Sequence, residues 1–227
     1  MKQLLLDLNA HEPPALDTFV TGQNGELLAL LERVARGAVS GLGERFIYLW
    51  GEAGAGKTHL LRALGRLDGA IYLDGEADET ALDFRPELRL YLLDDVADLS
   101  PQAQIAAFSL FNQVREQGGV LVAAGPQPPA LLAVREDLRT RLGWGLIYQL
   151  HGLTDDEKIA ALEHAAAARG LALSAGVLPY LMTHFKRDMP SLTAMLDALD
   201  RYSLETKRPI TLPLLKDLLL HDEPGSV

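Results

Sequence analysis

The stretch Phe46-Ile47-Tyr48-Leu49-Trp50-Gly51-Glu52-Ala53-Gly54-Ala55-Gly56-Lys57-Thr58 constrains this chain more than any other. A short apolar run leads into a loop of small residues and then into Leu60, Leu61 and Leu64 at helical spacing, the order strand, loop, helix. Gly51, Gly56, Lys57 and Thr58 fit G-x-x-x-x-G-K-[ST], a phosphate-binding loop. Small residues at Ala53, Gly54 and Ala55 let backbone N–H groups converge on phosphate oxygens without side-chain clash. Lys57 adds a point charge near the β- and γ-phosphates, and the Thr58 hydroxyl is a ligand for Mg2+. The helix that begins here turns its positive end toward the anion.

A chain of 227 residues can bury one full core with a small appendage. Its net charge of −10 disfavours a broad basic surface, so any DNA contact is expected to be weak or indirect. The chain has no cysteine, which excludes disulfides and thiol chemistry. No apolar run approaches the ~18 residues of a membrane helix, and Asp7 cuts Leu4-Leu5-Leu6 too early for a signal peptide. The expectation is a cytoplasmic protein with no membrane partner. Its six histidines show no metal-ligand spacing.

Residues 1–15 read as a tail and linker ending in His11-Glu12-Pro13-Pro14. Leu27, Leu28, Leu31 and Val34 mark a helix that stops at Gly37. Further strands are expected at Ala70–Leu73, Leu88–Leu93, Val120–Ala124 and Leu146–Leu150. Between the third and fourth lies a helix capped by Ser100 and Pro101 and stopped by Gly118, and Pro126 to Pro129 reads as a loop. Alternation of strand and helix implies a parallel sheet covered on both faces. From Thr154 the pattern is wholly helical. A Thr154/Glu157 capping box opens one helix, Leu192 to Tyr202 line a second, and a third follows Thr211. The expected fold is therefore α/β, a five-stranded parallel P-loop sheet flanked by helices over 16–152, followed by a small all-helical lid over 153–227.

Leu90-Tyr91-Leu92-Leu93 ends in two carboxylates, where a phosphate loop needs an acid to orient Mg2+. Asp94 is assigned that role, and Asp95 that of orienting or deprotonating an attacking water. The interval from Thr58 to Asp94 holds a helix and a strand, which suggests an extra strand between the two motif strands, as in AAA+ ATPases.

Trp50-Gly51 through His59, Asp94-Asp95, Arg139-Thr140-Arg141-Leu142-Gly143-Trp144-Gly145 and the helical tail together resemble the AAA+ module of the bacterial initiator DnaA. Over roughly residues 16–220 the chain is more similar still to the DnaA-homologous regulatory inactivators, the Hda family. Arg187-Asp188-Met189, Asp197 to Arg201 and Lys207 to Thr211 strengthen that likeness. The resemblance implies ADP or ATP bound with Mg2+ by Gly51, Ala53, Gly54, Ala55, Gly56, Lys57, Thr58 and His59. It places Phe19, Gly22 and Asn24 beside the adenine. It also makes Arg141 an arginine finger acting on ATP held by DnaA, with Arg139 a competitor for the role. Such a group is worth about 10³ to 10⁵ in rate. With only His221 to Val227 after the lid, no helix-turn-helix segment of the kind an initiator carries is expected.

Two departures from the family pattern stand out. The polar residue expected at the end of the fourth strand is Ala124, followed by Gly125 and Pro126, and the lid arginine aligns with Pro190, with Arg187 one turn earlier. Losing one preorganised donor costs roughly 10² to 10³ in rate, so slow intrinsic hydrolysis with stable nucleotide binding is expected. In the tail, Gln3, Leu4, Leu6 and Leu8 resemble the sliding-clamp-binding peptide of the Hda family, with Asp7 where proline is frequent. The partners implied are the DNA polymerase sliding clamp and DnaA, and self-association into a homo-oligomer is left open. Two rival readings remain. One is an AAA+ loader or adaptor that recruits a replication protein. The other is a self-contained P-loop NTPase or kinase, which would need an acceptor pocket and an Arg-rich lid that the sequence does not display.

Overall fold

The structure is a computed structural model that describes residues 14–222. The segment with Gln3, Leu4, Leu6 and Leu8 lies outside the described residues. The chain divides into two compact units, one up to Gly152 and one from Leu153.

In chain order the first unit contains α1 (Gly25–Ala35), β1 (Phe46–Trp50), α2 (Lys57–Leu64), β2 (Ala70–Leu73), β3 (Leu90–Leu93), α3 (Pro101–Gln117), β4 (Val120–Gly125), α4 (Glu136–Leu142) and β5 (Leu146–Gln149). The strands form one parallel sheet in the order β2-β3-β4-β1-β5. Strands in such a sheet bury both faces and so read as unbroken apolar runs. Phe46, Tyr48, Tyr91, Leu93, Leu121 and Ala123 meet α3 and α4 on one face. Ile47, Leu49, Leu90, Leu92, Val122 and Ala124 meet α1 and α2 on the other.

The five expected strands are all present, with β3 beginning at Leu90 rather than Leu88. An extra strand does separate the two motif strands in space, but it is β4. The Ala70 strand, which intervenes in sequence, lies at the sheet edge beyond β3. The sequence gives no sign of the helix at Glu136–Leu142 or of the one at Val177–His184.

The second unit holds α5 (Asp155–Ala168), α6 (Val177–His184), α7 (Met189–Thr206) and α8 (Leu212–Asp222). Its separate core includes Leu162, Leu178, Leu181, Leu192, Leu196, Leu199, Leu214 and Leu215. Asp188 caps α7 by accepting the Ser191 N–H at 2.9 Å, and Pro190 fits the first turn, where its missing N–H leaves no helical bond unmade. The α5 capping box is complete, with Thr154 Oγ1 accepting from Glu157 N at 3.2 Å and Glu157 Oε2 accepting from Thr154 N at 2.8 Å.

The Glu157 carboxyl accepts from the Thr154 backbone N–H and, at 3.0 Å, from the Thr154 hydroxyl, and these bonds, the backbone one first, hold it below its usual range. A lowered carboxylate contributes stability above its unfolded value and loses it as pH falls through the folded one. Glu157→Gln should therefore melt earlier than the parent at neutral pH. The two melting curves should converge as pH falls through the carboxylate range, which thermal melts followed by circular dichroism at stepped pH would check.

Candidate functional site

The loop from Gly51 to Gly56 carries the chain from β1 into α2. Gly56 has φ of +105°, and a side chain there would also press to 2.7 Å from the Phe19 ring, so both backbone and space require glycine. Ala53 and Gly54 are exposed at the loop's tip, Ala55 is buried, and Thr58 is partly buried in the first turn of α2. Lys57 is buried and donates from Nζ to the carbonyls of Gly51 at 2.8 Å and Glu52 at 3.0 Å. Burial draws its pKa down, opposed by Asp95 and then Asp94, so both carboxylates act on this ammonium. The His59 ring turns to the lead-in segment. Its Nε2 lies 3.0 Å from the Ala15 carbonyl, which can only accept, so this nitrogen carries the proton. Phe19 packs against the same ring at 5.8 Å. Gly22 precedes α1, and Asn24 is buried and pairs with the His151 backbone in both directions, each bond 2.9 Å.

Asp94 follows β3 and is only 1% exposed. Its Oδ2 accepts the Tyr72 hydroxyl at 2.8 Å, and its Oδ1 accepts the Asp95 N–H at 3.1 Å. Asp95 itself is exposed, with φ of +45°. Partial desolvation raises its pKa, reinforced by Asp94 and Asp98 and opposed by Lys57. The structure thus brings Lys57, Asp94 and Asp95 into one electrostatic cluster at the strand ends. A hard cation held partly by phosphates needs only one or two protein oxygens, and the Asp94 carboxylate and Thr58 hydroxyl are oxygen donors of the type that could supply them. Among the described residues no cluster of three or more His, Cys, Asp or Glu side chains forms a cage of its own.

The end of β4 carries no polar side chain. Ala124 is buried beside Leu49, and a β-carbon on Gly125 would lie 2.3 Å from Tyr48 Oη. That hydroxyl donates to the Gln127 carbonyl at 2.8 Å, and burial pushes its pKa far up, so it remains a donor. Tyr48 fills the space a side chain at Gly125 would use, whereas Ala124 faces the opposite side of the sheet.

Arg141 lies on α4, apart in sequence from the loop and the two acids. Its Nε donates to Asn112 Oδ1 of α3 at 3.0 Å, and its guanidinium carbon sits 3.8 Å from the Trp144 ring centre and 4.8 Å from that of Phe108. Arg115 lies over the same Trp144 ring at 4.7 Å. Trp144 remains 40% exposed, so the stack reaches the surface of its unit. Arg139, two positions earlier and therefore on another side of α4, makes no side-chain hydrogen bond or ion pair among the described residues. In the helical unit, Arg187 pairs with Asp155 at 3.0 Å, both side chains exposed. Sequence reasoning missed Tyr72, Tyr48 and Asn112 as neighbours of these residues, since a tyrosine or asparagine in a regular element gives no sign of its target.

The model of the Hda lid domain matches residues 155–219. A protein from Haemophilus influenzae, described only as uncharacterized, is 36% identical over 231 residues, which cover 96% of this chain and 98% of that one. This chain belongs to the Hda family. The family is one of DnaA-like AAA+ regulators of replication initiation, and solved structures agree on the fold. Domain III of Thermotoga maritima DnaA superposes with a TM-score of 0.69 at 20% identity, covering 95% of this chain and 99% of that one. A replication initiator DnaA bound to AMPPCP and single-stranded DNA gives 0.68 at 22% identity, over 85% and 68% of the two chains. Thermotoga maritima RuvB gives 0.63 at 17% identity, over 92% and 72%.

The contact between Tyr48 and Gly125 predicts a non-additive pair. Gly125→Ala should cost roughly 1–3 kcal/mol by overpacking, and well under half of that in a Tyr48→Phe background, where the obstructing oxygen is gone. Denaturant melts of the four proteins would measure the coupling.

Proposed function

We propose that this protein binds ADP or ATP with Mg2+ at Gly51–Thr58, docks on the DNA-loaded sliding clamp through Gln3, Leu4, Leu6 and Leu8, and stimulates hydrolysis of DnaA-bound ATP with Arg141. Within its own site, the loop N–H groups and Lys57 hold the phosphates. On nucleotide binding Lys57 exchanges the Gly51 and Glu52 carbonyls for phosphate oxygens, while Thr58 and Asp94 orient the cation. Mg2+, when bound, neutralises charge across the β- and γ-phosphates. Asp95 lies beside Lys57, where an attacking water would be oriented, yet the end of β4 offers that water no side-chain donor. Slow hydrolysis of the protein's own nucleotide follows.

The observation that carries the proposal is the bracing of Arg141. A cation that must enter another protein's site performs best when its side chain is already ordered, because less conformational entropy is lost on docking. Asn112, Trp144 and Phe108 provide that order on a stack that is partly exposed. A finger in trans also accounts for a phosphate loop kept beside poor catalytic equipment.

The experiment measures hydrolysis of ATP on DnaA in the presence of clamp-loaded DNA. Arg141→Ala should lower the stimulation by about 10³ or more, and Arg139→Ala by far less. The double variant Gln3→Ala, Leu6→Ala should lose stimulation only through loss of clamp retention. Stimulation by Arg141→Ala equal to that of the parent would reject the trans-acting role.

A further inference from the structure

The two protein groups suited to the cation stand on different elements. Thr58 belongs to the first turn of α2, whereas Asp94 follows β3. One side chain touches both halves, and it comes from the edge strand. Tyr72 of β2, aligned with Leu92 of β3, donates its hydroxyl to Asp94 Oδ2 at 2.8 Å. The Arg62 guanidinium of α2 lies over its ring at 5.3 Å, and a β-carbon on Gly65, just past α2, would sit 3.1 Å from Tyr72 Cβ.

The other Asp94 oxygen receives the Asp95 N–H. With one donor on each oxygen the carboxylate plane is fixed, and each oxygen keeps a lone pair for a cation or a cation-bound water. We infer that Tyr72 is a positioning residue for the cation: its hydroxyl sets the Asp94 carboxylate, and its ring keys that setting to the helix that carries Thr58. The inference rests on the reading of this site as one for nucleotide with Mg2+. Burial, the largest cause, pushes the Tyr72 pKa up to about 12, so the hydroxyl is a donor throughout the neutral range. Hydrogen-bond partners that orient a metal-binding group typically cost 10- to 100-fold in metal affinity when removed.

The test titrates Mg2+ into the full chain holding a fluorescent ADP analogue and compares nucleotide affinity with that in EDTA. Tyr72→Phe should keep the EDTA affinity of the parent while its Mg2+ midpoint rises about tenfold or more. Asp94→Asn should remove the Mg2+ response, and adding Tyr72→Phe to it should change nothing further. An unchanged Mg2+ midpoint in Tyr72→Phe would overturn the inference. So would an equal loss of affinity in EDTA, or loss of the folded circular dichroism signal, because either marks a hydroxyl needed for the fold rather than for the cation. A parent protein that binds the analogue without any response to Mg2+, or does not bind it, would overturn the nucleotide-and-magnesium reading beneath the inference, an outcome distinct from the others.

Discussion

A buried ammonium without partners would be an expensive thing to keep, and much of the first unit is arranged so that Lys57 is not in that position. The loop turns the carbonyls of Gly51 and Glu52 onto Nζ, and two carboxylates at the end of β3 supply opposing charge. β4 lies between β3 and β1, and Asp94 and Asp95 still act on Lys57 through their charge. The same cluster explains the opposite fates of the two aspartates. Asp94 is buried and doubly hydrogen-bonded, while Asp95 turns outward on a left-handed backbone with its carboxyl harder to ionise.

The charge of the whole chain and the charge of one helix tell different stories. A net charge of −10 repels nucleic acid in general. Yet Arg115 and Arg141 both lie over Trp144, and Arg139 stands on the same short helix as Arg141. Aromatic rings hold Arg115 and Arg141, and an amide holds Arg141 as well, where carboxylates would have neutralised them, so the positive charge remains available at short range. Arg187 shows the alternative, since its pairing with Asp155 spends its charge within the helical unit.

The sheet was legible because strands buried on both faces have no choice but to be apolar. Phe46 to Trp50, Leu90 to Leu93 and Val120 to Ala124 stand out from the polar loops around them. The capping box at Thr154 was equally plain, since its two members must lie three residues apart. Short helices escaped. Over seven residues α4 shows a single apolar pair, Leu138 and Leu142, and α6 carries Pro179 near its start, which reads as a break. Of the candidate site, the loop, the acids and the arginine could be named from spacing and resemblance. What could not be read was which side chains constrain them, because Tyr72 with Asp94, Tyr48 with Gly125 and Asn112 with Arg141 are contacts made across elements.

The pairing of Asn24 with His151 has a consequence for the sheet's free margin. Leu150 sends its N–H inward to Trp50, so by alternation the backbone groups of His151, just past the end of β5, face away from β1, on the open side of an outermost strand. Unsatisfied groups in such a row invite a foreign strand to add on. A side-chain amide that both donates and accepts imitates one rung of a neighbour and closes that rung to newcomers. Aspartate could not donate and serine could not span both atoms, so closing that rung depends on asparagine.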